Sequence, residues 1–123
     1  MQDRLKFRIF SKTAKKYIYF DNSELSIDRE NMGLLFRSEH LYLGNYEELQ
    51  QCTGLKDKNG TLIYEGDIVF YKIGSIKCQD VVKWSEERCG WVKGYQDLST
   101  YKKYCEVVGN IYEHPNLLKK KGE

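Results

Sequence analysis

The stretch Cys52-Thr53-Gly54-Leu55-Lys56-Asp57-Lys58-Asn59-Gly60-Thr61-Leu62-Ile63-Tyr64-Glu65-Gly66-Asp67-Ile68-Val69 constrains this chain more than any other. Three glycines (Gly54, Gly60, Gly66) and three acids (Asp57, Glu65, Asp67) surround two short apolar runs. Turn residues at that density beside β-formers specify a hairpin, not a helix. Asp57-Lys58-Asn59-Gly60 is the sharpest signal, because Asn-Gly places a positive φ where it is sterically cheap. Thr61–Tyr64 and Ile68–Ile73 are then strands, and Glu65-Gly66-Asp67 is the bend between them.

The same grammar continues downstream. Gly74-Ser75 makes the next turn, and Ile76–Trp84 alternates apolar and polar residues. Trp91-Val92-Lys93-Gly94-Tyr95 and Tyr104–Tyr112 read as two more strands. Short strands with closely spaced turns predict a mainly β fold, a strongly bent sheet or a small SH3-like barrel. Pro115 can open a short terminal helix, since the first helical position tolerates proline. Upstream, Leu5–Phe10 alternates and Tyr17–Phe20 follows a short polar stretch, which predicts an N-terminal hairpin.

Residues 24–51 carry less pattern. Leu34-Leu35-Phe36 and Leu41-Tyr42-Leu43 suit strand or helix by periodicity alone. Asn31-Met32-Gly33 and Leu43-Gly44-Asn45 read as turns, and Tyr46–Gln51 as one helical turn. We therefore divide the chain into a hairpin and docking segment over 1–46 and a barrel-like domain with a short terminal helix over 47–123.

Composition removes several classes of function. The 123 residues are 41% hydrophobic and 31% charged, which fits a globular chain with a modest core. The lone proline argues against a long flexible linker. Twenty basic and 18 acidic residues leave a net charge of +2, too small for a global nucleic-acid footprint, and Lys119, Lys120 and Lys121 hold much of it. No apolar run approaches the roughly 20 residues of a membrane span, and Met1–Phe7 lacks a signal-peptide core. The expected setting is the cytoplasm. Cys52, Cys78, Cys89 and Cys105 form no C-x-x-C knuckle, so they read as structural thiols.

The motifs resemble a known family. Thr53–Gly60 followed by Ile63-Tyr64-Glu65-Gly66-Asp67-Ile68-Val69 resembles the hallmark of the YopX family of phage and prophage proteins. Val107-Val108-Gly109-Asn110-Ile111-Tyr112-Glu113, then Pro115 and Leu117-Leu118, resembles its C-terminal motif, and Lys6–Phe10 with Tyr17–Phe20 its N-terminal hairpin. The resemblance implies a small, mostly β, oligomeric protein of a bacterial host. It brings no activity, cofactor or catalytic residue to transfer. His114 stands where the family usually has an acid before its proline.

Candidate chemistry is thin. Asp57, Glu65 and Asp67 could share acid–base work or ligate a hard cation, but with Gly54, Asn59, Gly60 and Gly66 they are the residues such turns require. The Thr53–Gly60 loop lacks the lysine of a phosphate loop. Cys89 with His40 or His114 makes no recognisable nucleophile–base pair, and no serine sits in a nucleophile elbow. We therefore expect no catalytic residue, no cofactor and no metal. Trp84, Arg88, Trp91, Lys93, Tyr95, Tyr101, Lys103 and Tyr104 interleave aromatics with cations, as surfaces that stack bases do. Acids among them weaken that patch. The preferred order is an aromatic core with a solvated lysine face, then a protein interface, then a nucleic-acid surface. The resulting expectation is a self-associating structural or protein-interaction module, with a nucleic-acid-binding module as the alternative and an enzyme third.

Overall fold

The structure, a computed structural model, describes residues 2–12, 14–21, 23, 25–28, 33–36, 42–45 and 49–118. The chain is mainly β and falls into two compact units, residues 1–52 and 53–123. Among the described residues no helix is long and apolar enough to cross a membrane.

In the first unit, β1 (Lys6–Ser11) and β2 (Lys16–Asp21) form the antiparallel hairpin, in register from Lys6↔Asp21 to Ser11↔Lys16. Alternation turns Ile9 and Phe20 into a small core with Phe7, Ile18 and Leu49. β3 (Leu25–Asp28), β4 (Gly33–Phe36) and β5 (Tyr42–Asn45) form a three-stranded antiparallel sheet. Residues 34–36 and 42–43 of the two apolar runs thus lie in strands, and Leu41 is outside the described residues. Leu43-Gly44-Asn45 lies within β5 instead of making a turn, and Gly44 pairs with Leu34 beside an irregularity in register. The extra residue there is Leu43, which lies between Gly44, opposite Leu34, and Tyr42, opposite Leu35.

β6 (Gln50–Lys56) places Gln50 and Gln51 in a strand, where the end of a helical turn was expected. Its start pairs with β1 through Phe7↔Gln51 and Arg8↔Gln50. The buried Gln50 Oε1 accepts from Arg8 Nε at 2.8 Å and from the Tyr17 hydroxyl at 3.0 Å. Those long-range bonds, to residues over thirty positions away, override a weak local helical preference. The expected turn at 31–32, residues 46–48, His40 and the Lys119–Lys121 tail lie outside the described residues.

In the second unit, β7 (Leu62–Tyr64) follows the Asp-Lys-Asn-Gly turn. A five-stranded sheet then runs in the order β11 (Gln96–Asp97), β10 (Gly90–Lys93), β9 (Ile76–Ser85), β8 (Asp67–Ile73), β12 (Glu106–Asn110). The expected strand over 104–112 is shorter, because Lys102–Tyr104 forms a 3-10 turn and residues 111–113 turn away. One short helix, α1 (Leu98–Tyr101), was not anticipated and buries Leu98. Pro115–Leu118 forms the terminal 3-10 helix. The core is aliphatic: Ile63, Val69, Val82, Leu98 and Cys105 are fully buried, with Leu55, Tyr71, Trp91 and Val107 packed against them.

Two polar side chains hold this unit closed. Asp57 is buried; its Oδ1 accepts the N–H groups of Asn59 and Thr61, both at 2.9 Å, and its Oδ2 accepts that of Val107 at 2.8 Å. Lys58 N–H adds a bond to the Cys105 carbonyl, so the 57–60 turn is fastened to the start of β12. Asn110 does similar work at the other end of β12, accepting from the amides of Tyr112 and Glu113. Gly109 leaves room for the terminal helix: a Cβ there would lie 2.8 Å from the His114 ring and from Leu117 Cδ1. His114, in place of an acid, accepts the Asn110 N–H through Nδ1 at 3.3 Å.

Charged acceptors of several buried amides are costly to remove. Asp57→Ala is expected to lower unfolding free energy by about 3 kcal/mol, and Asp57→Asn, which keeps one acceptor oxygen, by distinctly less. Urea denaturation followed by tryptophan fluorescence measures both; equal small losses would show that the three bonds do not hold β12.

Candidate functional site

The cross-strand register decides which side chains meet. Trp91 faces Trp84 and Lys93 faces Val82; Tyr71 faces Cys78 and Val69 faces Asp80. Because side chains alternate, Trp84, Val82, Asp80, Cys78, Trp91, Lys93, Tyr71 and Val69 all project from one face, the face that carries the core. Lys93 therefore cannot belong to a solvated lysine face. It is 1% exposed and is the largest fully buried side chain of the described residues.

Around Lys93 the second unit opens a pocket of about 320 Å³, lined by Tyr71, Lys72, Ile73, Lys93, Gln96, Tyr101 and Tyr104. Lys93 Nζ lies 3.3 Å from the centroid of the Tyr71 ring and 5.2 Å from that of Tyr101, both within cation–π range. It donates to Gln96 Oε1. The Tyr71 hydroxyl donates to Asp80 Oδ2. Gly94, at φ +57, makes room for that carboxylate: a Cβ would sit 3.0 Å from Asp80 Oδ2. Beneath the pocket the Cys105 thiol donates to the Tyr101 carbonyl at 3.3 Å.

Burial sets the electrostatics. It pushes the Lys93 ammonium below its ordinary value, against the opposing pull of Cys105, Asp80 and Cys78. It raises the Tyr71 phenol well above its usual range, and the bond to Asp80 adds to that. It raises the Cys105 thiol as well, which keeps that sulfur protonated and inert. Among the described residues, no carboxylate lies within 4 Å of Lys93 and no group of His, Cys, Asp or Glu could hold a metal ion.

The residues singled out from sequence separate into three places. Lys93, Tyr101 and Tyr104 line the pocket, with Lys103 Nζ 5.3 Å from the Tyr104 ring. Trp84 and Trp91 pack edge to face, 5.3 Å apart, while Arg88 pairs with Asp97 at 3.0 Å. Tyr95 stands alone in the β10–β11 turn, 93% exposed. An aromatic core was expected, yet Trp84, Tyr95 and Tyr104 are largely exposed and the core is aliphatic. Gly54, Gly60 and Gly66 take positive φ in the 52–67 segment. Asp67 is buried and accepts the Tyr64 N–H at 2.8 Å; Asn59 Nδ2 reaches Glu106, and Glu65 flanks the bend. None of these turn residues lines the pocket. Tyr71, Asp80 and Gln96 were missed; strand parity from Trp91 to Lys93 and from Cys78 to Val82 was the available signal.

A buried ammonium is a burden on the fold that pH relieves. Between the lowered Lys93 value and about 10.4, that of a free lysine, the unfolded chain holds a proton the folded chain has released, so this group's contribution to stability rises with pH. Lys93→Met is expected to be at least as stable as the wild type at pH 7. Its advantage should shrink as pH approaches 10. Chemical denaturation of both proteins across that range checks the sign; a constant difference would mean that Lys93 is not desolvated.

The YopX protein family matches residues 6–119 of this chain. The crystal structure of protein EF1440 from Enterococcus faecalis is similar over 93% of this chain and 97% of its own, at 25% identity and a TM-score of 0.61. Among curated proteins nothing matches.

Proposed function

The chain belongs to the YopX family, and on that premise we propose that it is a phage- or prophage-encoded interaction module. It acts in the bacterial cytoplasm through protein contacts, including self-association, and not as a catalyst. One observation carries this reading: the pocket is ringed by large side chains that remain exposed. Ile73 is 54% exposed, Tyr104 59% and Tyr101 37%, and Ile76, at 63%, is the cross-strand partner of Ile73 at the tip of the β8–β9 hairpin. Isoleucine and tyrosine gathered around a concavity cost solubility when left bare, and such clusters mark contact surfaces.

Nucleic acid finds less to grip. Arg88 is taken up by Asp97 and Lys93 is buried, so two of the cations nearest the tryptophans do not present free charge to a phosphate backbone.

Size-exclusion chromatography with light scattering tests the proposal. The wild type is expected to run above the monomer mass, and Ile73→Ser with Ile76→Ser to shift it toward the monomer without loss of secondary structure. A wild type that stays strictly monomeric at about 100 μM, far above the Kd of most stable dimers, and captures no partner would overturn the proposal.

A further inference from the structure

We infer that the Lys93 pocket is a receptor for a carboxylate carried on an apolar body, namely an acidic side chain flanked by large apolar residues in a partner's segment. The inference rests on the reading of the surrounding patch as a contact surface and says what that surface selects.

Three observations lead there. First, the pocket has a cation at its floor and apolar walls. Lys93 is held on the Tyr71 and Tyr101 faces, while Ile73, Tyr101 and Tyr104 form exposed sides. Second, its donors are incompletely used. An ammonium has three N–H groups; among the described residues Lys93 meets one hydrogen-bond acceptor, Gln96 Oε1, and no carboxylate within ion-pair distance. Holding Oε1 toward Lys93 turns the Gln96 amide nitrogen outward. That nitrogen has no partner among the described residues and is not buried, so it is a second available donor. Third, the neighbouring charge has the same sign: Lys72 lines the pocket and Lys103 sits over the Tyr104 ring. Among the described residues the acid that acts on Lys93, Asp80, accepts from the Tyr71 hydroxyl through Oδ2 and makes no ion pair with the ammonium.

A carboxylate entering this pocket would accept from Lys93 Nζ and Gln96 Nε2 at once, and the burial of Lys93 would strengthen its bond. It would also relieve the desolvated ammonium by bringing a carboxylate to ion-pair distance, which Asp80, acting on it from farther away, does not do. A neutral amide of the same shape gains the apolar contacts and a neutral carbonyl acceptor, but brings no counter-charge to the ammonium. At about 320 Å³ the pocket accommodates one or two side chains, not an extended ligand.

The test compares two capped tripeptides, acetyl-Phe-Glu-Leu-amide and acetyl-Phe-Gln-Leu-amide, with 4-phenylbutyrate as a free small acid. Binding is followed by amide chemical-shift changes, and the Lys93 charge by its 13Cε shift across pH. The Glu peptide is expected to bind at least about tenfold more tightly than the Gln peptide, a Kd near or below a millimolar being realistic for so few contacts. It should shift residues 71–73, 93–96 and 101–104 and move the Lys93 titration to higher pH. Lys93→Met should abolish the preference, while Lys103→Gln, outside the pocket lining, should reduce it only at low salt. Equal binding of the two peptides, or binding by neither, overturns the inference. Binding of 4-phenylbutyrate alone overturns the assignment to a partner segment. The wild-type peptide comparison stands even if Lys93→Met proves misfolded. A monomeric chain that still prefers the Glu peptide loses self-association and keeps the pocket; an oligomer dissolved by the Ile73 and Ile76 changes but blind to the charge loses the pocket and keeps the patch.

Discussion

In the second unit one carboxylate ties the 57–60 turn to a strand fifty residues away. Asp57 gathers the amides of Asn59 and Thr61, closing its own turn, and that of Val107, fifty residues on. With the Lys58–Cys105 bond this anchors the start of β12 to the 57–60 turn. Cys105 in turn lies under the Tyr101 carbonyl, one turn from Tyr104. The position of the pocket's tyrosine wall is thus inherited from a turn that contributes no residue to the pocket. A buried anion can do this because backbone N–H groups already in place supply the solvation it has lost.

The pocket rests on the opposite bargain. Lys93 is buried with aromatic faces and one amide oxygen instead of a carboxylate. Asp57 is satisfied within the fold, whereas Lys93 keeps unused capacity beside an opening. That contrast separates structural acids from a candidate recognition cation, although both read on paper as charged residues in a strand-rich chain.

Much of the architecture was legible. Hairpin β1–β2, the turn at 57–60, β7, β8 and β9 follow from alternation and turn chemistry, which act over a few residues. The central strands β3–β5 and the start of β6 were not. Their residues lack a strong local preference, and β6 owes its conformation to Arg8 and Tyr17 reaching Gln50. Helix α1 escaped because four residues carry too little periodicity; Asp97, at its N-terminal cap position, makes no side-chain capping bond and accepts from Arg88 instead.

By itself, the sequence determined a mainly β chain, the places where it turns and its family, since glycine, asparagine and aspartate impose backbone geometry locally. Only the tertiary structure decided which distant strand the 52–69 segment is fastened to and where a pocket opens. Asp57 finds its third amide, and Lys93 its tyrosines, only when strands distant in sequence come into register. Burial, which turns a lysine from a solvated charge into a cation seeking a partner, is a property of that register and not of the residue.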